Sequence, residues 1–265
     1  RIFFLPFLPL PAIRQLASRI AGDCTTRYIV LMNVGSISAA ARASTAALLL
    51  ADPKVQGFPP AQLALILAAC QWRRIPAGAR LFSAGDETSS VQAVAAGYVA
   101  FESSLAIPDL PLVNFLAPPF WFLGRPHVHG RIRMNTATAR TPLLIAQLSQ
   151  ARFDALAVEQ PAIQDFKAWV TGALFWEVLE ALTDALIPNN RHRVVSTLLR
   201  VAACKHGGDA PVSLPITQAE LAAITNLSRQ TCGALLRAFE SSALIRLGYG
   251  EIELLAPARL RALIT

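Results

Sequence analysis

The stretch Leu214–Leu254, LPITQAELAAITNLSRQTCGALLRAFESSALIRLGYGEIEL, carries the densest local structural grammar in the chain. Thr217 stands three residues before Glu220, the spacing of a capping box, in which each side chain satisfies the other residue's backbone N–H at a helix start. Leu221 and Ile224 share one face of that helix, and Thr225-Asn226-Leu227 interrupts the pattern. Asn suits such a turn because it tolerates the left-handed conformation better than most non-glycine residues. Ser228 is a good N-cap for a second helix. In that helix Cys232, Leu235, Leu236 and Phe239 fall on one side at three-to-four-residue spacing, as a core-facing stripe requires. Arg229, Gln230, Gly233, Ala234 and Arg237 fall largely on the other. A β-hairpin follows: Leu244-Ile245-Arg246-Leu247, a turn at Gly248-Tyr249-Gly250, and Glu251-Ile252-Glu253-Leu254 returning in alternation.

Two short helices, a tight turn and a hairpin make a winged helix-turn-helix. The exposed start of its second helix carries Arg229 and Gln230 side by side. Arg can grip guanine O6 and N7 with two hydrogen bonds, and Gln can do the same to adenine N6 and N7. These two are the candidates for base reading, with Ser228, Thr231, Arg237 and Arg246 as candidates for phosphate or positioning contacts. The competing reading is a helical hairpin on a small sheet with its polar residues merely solvated, in a ligand-binding or signalling module whose C-terminal domain mediates protein contacts rather than DNA binding.

A resemblance favours the first reading. Thr217, Glu220, Leu221, Ser228, Arg229, Thr231, Leu236, Phe239, Glu240, Leu244 and Ile245 match in order and spacing the C-terminal domain of the CRP/FNR family of bacterial transcription regulators. The resemblance implies double-stranded DNA as partner, a homodimer reading two half-sites about one DNA turn apart, contact with RNA polymerase, and a cytoplasmic location. Two family-typical features differ. An acidic residue often follows the Arg, where Gln230 stands here; a basic residue often follows the glycine, where Ala234 stands. The operator should therefore differ from that of the cyclic AMP receptor protein, with one fewer reader per half-site.

Composition fits a folded chain of about two domains. Of 265 residues, 54% are hydrophobic and 15% charged, with a formal net charge of +7. From Arg191 onward nine Lys and Arg face five acids, a basic surplus that suits the phosphate backbone. Cys24, Cys70, Cys204 and Cys232 are scattered without a C-x-x-C pair, which reads as free buried thiols rather than a disulfide framework. No nucleophile–base pair or phosphate-cradling glycine loop stands in a plausible context, so an enzyme is not expected.

Residues 1–45 fit poorly with the remainder of the chain. Ile2 to Ile13 is apolar but broken by Pro6, Pro9 and Pro11 and ended by Arg14, too short and proline-rich to span a membrane. The absence of an initiator Met suggests a fragment or a start assigned too far upstream, with this stretch loosely packed. Regular structure is expected from Ala46. Leu48-Leu49-Leu50 and Pro59 to Leu67 suggest short helices. Gly78, Gly85-Asp86 and Gly97 then punctuate short apolar runs such as Val91 to Val94 and Tyr98 to Phe101. Strands at roughly ten-residue spacing imply an antiparallel sandwich or barrel. The order Gly78, Leu81-Phe82, Gly85-Asp86, Gly97-Tyr98-Val99 resembles the β-roll of cyclic-nucleotide-binding domains, which that family places before its DNA-binding module. The likeness thus runs from about Ala46 to Leu260.

Family members that bind cyclic AMP carry a Gly-Glu pair on a short helix and then Arg-Ser; the Glu receives the ribose hydroxyl and the Arg holds the phosphate. Here Gly124 is followed by Arg125, and Arg133, which could take the phosphate role, is followed by Met134. Gly124, Arg133 and Met134 mark the candidate effector pocket. A buried ribose hydroxyl without its carboxylate would lose about 1.5–3 kcal/mol, so cyclic nucleotide binding is not expected. An iron–sulfur cluster needs grouped N-terminal cysteines, and only Cys24 and Cys70 precede the roll. His127 and His129, without Cys or carboxylate beside them, read as solvated or structural rather than as metal or haem ligands.

A helix is expected over Ala151 to Val158. Pro161 then starts a long one to about Leu186, stopped by Pro188-Asn189-Asn190. Phe166, Val170, Leu174, Val178 and Ala181 form one stripe, while Trp169, Phe175, Trp176, Leu179 and Leu182 leave much of the remainder apolar. Such a helix must be covered on more than one side: by the β-roll on one and, as the resemblance implies, by a second copy of itself on the other. Arg191 to Cys204 should open the DNA-binding domain, and Arg259 to Thr265 should form a short terminal helix. The expected architecture is α+β: an N-terminal extension (1–45), an antiparallel β-roll (46–160), a dimerisation helix (161–188) and a winged helix-turn-helix (189–265).

Overall fold

The computed structural model describes residues 39–50, 58–87, 90–103, 113–116, 120–123, 133 and 135–264. Most of the N-terminal extension, together with Gly124, His127, His129 and Met134, lies outside them.

Two helices lead in, α1 (Ala39–Leu50) and α2 (Pro60–Ala69). Pro60 occupies the first helical position of α2, where its missing N–H costs nothing. Eight strands follow: β1 (Gln71–Ile75), β2 (Arg80–Phe82), β3 (Ser90–Ala96), β4 (Val99–Ser103), β5 (Val113–Leu116), β6 (Phe120–Leu123), β7 (Asn135–Ala139) and β8 (Leu143–Ser149). They form two four-stranded sheets, in the orders β1-β8-β3-β6 and β2-β7-β4-β5, with every pairing antiparallel. This is the expected sandwich. Between its sheets Phe82, Val94, Val99, Ala137, Ala139, Leu143 and Ile145 are buried together. Gly97 enables the tight turn from β3 to β4. Its φ is +87°, and a Cβ there would lie 2.3 Å from the Pro142 carbonyl oxygen, a position no other residue type could fill.

The outer face of the first sheet is covered by helices. The helix α3 (Gln150–Glu159) is capped by the Ser149 hydroxyl, which accepts from the Arg152 N–H. Instead of one helix beginning at Pro161, a 3₁₀ turn (Pro161–Gln164) precedes α4 (Asp165–Leu186). Phe166 and Val170 bury fully in the cluster formed with α1, α2, α3 and the sheet. Leu174 packs at that cluster's edge, but Val178, in the same expected stripe, is 65% exposed. Phe175, Trp176, Leu182 and Leu186 are likewise exposed.

The C-terminal domain begins with α5 (Asn190–Val201), whose N-cap Asn189 accepts from the N–H groups of Arg191 and His192. Then come β9 (Val212–Leu214), α6 (Gln218–Ile224), α7 (Arg229–Ser241), β10 (Ile245–Gly248), β11 (Glu251–Leu254) and α8 (Pro257–Arg261). The three strands make one antiparallel sheet in the order β10-β11-β9. The strand β9 extends the expected hairpin; with three residues it is too short to announce itself by alternation. The last helix starts at Pro257, not Arg259, for the same reason that α2 starts at Pro60. Val194, Leu198, Leu214, Leu221, Cys232, Leu236, Phe239, Ile252, Leu254 and Leu260 bury together here, and Tyr98, in the turn before β4, and Ala100 of β4 join the same cluster. One core therefore runs across the boundary between the two halves.

Candidate nucleic-acid interface

The helix pair α6–α7 is built as its sequence indicates. Thr217 and Glu220 close a complete capping box: the Glu220 N–H donates to Thr217 Oγ1 at 3.1 Å and the Thr217 N–H donates to Glu220 Oε2 at 2.8 Å. Asn226 takes the left-handed conformation, φ +51°, which turns the chain between helices at small cost for this residue. Ser228 caps α7, accepting from the Thr231 N–H at 3.0 Å, and its hydroxyl also meets that of Thr231 at 2.8 Å.

One face of α7 holds the helix down. Cys232, Leu236 and Phe239 are fully buried, and Leu235 packs at the margin. Burial pushes the Cys232 thiol up to about 11, so it is a protonated, inert core group at neutral pH. The other face is open: Arg229, Gln230, Ala234 and Arg237 are exposed. Arg229 and Gln230 stand next to each other in the first turn, where the unpaired N–H groups and the helix dipole also favour an anion.

Gly233 departs from the expected open face. It is buried, and a Cβ there would lie 3.5 Å from Arg237 Nη1 and 3.6 Å from Gln218 Oε1. The Arg237 side chain thus lies back across Gly233 toward the start of α6. Arg246 is exposed on the hairpin but ion-paired to Glu253 at 2.8 Å, and Glu251 accepts from the Ser213 hydroxyl. This wing carries two acids against one Arg, so its attraction for phosphate is weaker than the bare sequence position of Arg246 implies.

Two groups not singled out in the sequence position the reader. Arg193 donates from Nε to the Ile187 carbonyl (2.8 Å) and from Nη1 to the Thr225 carbonyl (3.1 Å), joining the end of α4 to the end of α6. Asp184 is 1% exposed and accepts from Ser196 Oγ (2.6 Å), Arg200 Nε (2.8 Å) and Lys205 Nζ (2.8 Å). It fastens α4 to α5 and the segment after it. Polar residues among apolar ones in an amphipathic helix read as surface; only the fold reveals that these are enclosed.

In the β-roll, Arg133 is buried, with its guanidinium carbon 3.6 Å from the centre of the Phe82 ring. Its backbone bridges to the Gly85–Asp86 turn, donating to the Asp86 carbonyl and accepting from the Gly85 N–H. Burial lowers its pKa to about 10, opposed by the Asp86 charge, and it stays cationic at neutral pH. Gly124 and Met134, the other two residues of the candidate pocket, lie outside the described residues. Among the described residues no group of three or more His, Cys, Asp or Glu is arranged to hold a metal ion, and no helix is long and apolar enough to cross a membrane.

Residues 192–263 match the family model of the Crp-like helix-turn-helix domain. Over about three quarters of this chain the fold is shared with solved structures of other proteins. FixK2 from Bradyrhizobium japonicum aligns with a TM-score of 0.59 at 16% identity, over 74% of this chain and 98% of that one. The c-di-GMP responsive global regulator CLP of Xanthomonas campestris aligns at 0.55 and 19%, over 74% and 99%. TTHB099, a CRP-family transcriptional regulator from Thermus thermophilus, aligns at 0.54 and 19%, over 72% and 96%. At these identities the likeness is one of fold. A search of curated protein sequences returns no match.

Proposed function

We propose that this chain, whose C-terminal domain is a Crp-like helix-turn-helix domain, is a sequence-specific DNA-binding transcription regulator working as a homodimer. The observation that carries the reading is the α7 face: Arg229 and Gln230 exposed at a capped helix start, over a fully buried Cys232-Leu236-Phe239 stripe. That arrangement presents bidentate donors on a rigid support, as major-groove reading demands. Arg229 and Gln230 read bases; Ser228, Thr231, Arg237 and Arg246 position the backbone, Arg246 least strongly because Glu253 already holds it.

The exposed Phe175, Trp176, Val178, Leu182 and Leu186 of α4 support pairing of two copies through that helix, since a contiguous apolar patch of this kind marks an interface. Two copies related by a two-fold axis read a near-palindromic operator, and RNA polymerase is the partner that the resemblance to CRP/FNR regulators implies. The roll is the sensor half. With Arg125 after Gly124, its effector is not cyclic AMP.

Operator selection from a randomised duplex library, followed by fluorescence anisotropy, tests this. A near-palindromic site should be bound by two protomers, with affinity falling steeply as salt rises. Arg229→Ala should cost about 1–3 kcal/mol and relax discrimination at one base pair per half-site. Full selectivity in that variant, or salt-independent binding, would refute the placement of the reading helix.

A further inference from the structure

The boundary between roll and reader carries a polar contact that neither DNA reading nor helix pairing uses. Arg140 sits in the turn between β7 and β8, and its backbone is fixed: its N–H donates to the Tyr98 carbonyl at 2.8 Å. The same turn is pinned again by the Tyr98 N–H donating to Thr141 Oγ1 at 2.9 Å, and Gly97 closes against Pro142 so tightly that no side chain fits. From this rigid base the Arg140 side chain reaches across to the C-terminal domain. Its Nε donates to the Pro215 carbonyl at 2.8 Å and its Nη2 to Glu220 Oε2 at 3.1 Å.

Glu220 is already the carboxylate of the capping box, and the same Oε2 accepts from the N–H and the hydroxyl of Thr217. A group that starts the first reader helix is thereby tied to the roll. Beside it, Tyr98, in the turn before β4, and Ala100 of β4 bury in the reader's core. At the other end of β7, two residues before Asn135, lies the buried Arg133. A five-residue strand spans roughly 17 Å, so β7 runs from near Arg133 toward the boundary contact at Arg140.

We propose that Arg140, through Glu220 and the Pro215 carbonyl, is a releasable latch that sets how the reader docks on the roll and links that docking to the position of β7. Its chemistry suits release. Arg140 and Glu220 side chains are 33% and 25% exposed, so water and salt can compete for both partners. Among the described residues the apolar part of the contact is Tyr98, just before β4, and Ala100 within it, and β5 also lies against α6.

Hydrogen exchange followed by mass spectrometry on the full chain tests this without any DNA. The peptides to follow cover 97–101 and 214–224, one on each side of the boundary. The variants are Arg140→Met, Glu220→Gln and the two combined. Gln at position 220 keeps a capping-box partner for Thr217, so α6 is retained while the ion pair is lost. Each single variant should speed exchange in both peptides by roughly two- to fivefold, and the double variant no further. Raising salt from low to half-molar should speed wild type alone. The latch is refuted if the 97–101 peptide stays protected in every variant, which would make the change a local capping effect, or if the two substitutions add. Because the readout is exchange rather than operator affinity, it stands or falls separately from DNA reading.

Discussion

Two of the attachments that fasten the reader to the rest of the chain are built on opposite principles. At Asp184 a carboxylate 2% exposed is enclosed by Arg200, 4% exposed, and by Lys205 and Ser196. At Arg140 an ion pair of similar geometry is only half-buried, its side chains 33% and 25% exposed. Distances alone would rank them nearly alike, at 2.8 and 3.1 Å. Burial separates them. Once charges have been taken out of water, removing one partner leaves the others stranded, whereas a partly exposed pair can trade its partner for solvent more readily. The first attachment holds the reader to the long helix permanently; the second can open.

Three substitutions probe that difference. Asp184→Ala should cost about 3–5 kcal/mol in urea unfolding, because the Arg200 guanidinium is left buried without its counter-charge, and the loss should persist in high salt. Thr217→Ala removes the hydroxyl that caps α6 and orients Glu220, and should cost about 1 kcal/mol, read as a shift of the unfolding midpoint. Arg140→Met should cost about 0.2–1 kcal/mol in dilute buffer, and nothing measurable against wild type in molar salt, where screening has already weakened the pair. If Asp184→Ala cost no more than Arg140→Met, or if its cost vanished with salt, the distinction between the two attachments would be lost.

How much of this was legible in the sequence depends on how far apart the interacting residues lie. The capping box, the left-handed Asn226, the Ser228 cap and the Cys232-Leu236-Phe239 stripe all rest on partners within about two helical turns, so their spacing is a direct signature. The succession of short strands was readable too, through its glycine punctuation, although not the order in which they pair. Asp184 and Arg140 could not be found that way. Arg140 meets residues 75 and 80 positions onward, and no local pattern marks an Arg in a turn as an anchor. Gly233 went unread for a related reason: its burial comes from the Arg237 side chain folding over it, which helical position alone does not show. The long helix was half legible. Its apolar character was plain, but which of its apolar residues stay exposed, Val178 among them, depends on what packs around it.

Arg193 has a mechanical consequence of its own. Its Nε and Nη1 belong to one planar fork, and they grip the last turns of α4 and α6 at once. Because that fork is rigid, the two helix ends can rotate about it but cannot slide past each other without breaking a hydrogen bond. It serves as an axle. A reader released at Arg140 would therefore not drift free; it would swing through an arc centred a few residues from the tip of the long helix, with α7 travelling farther than α5.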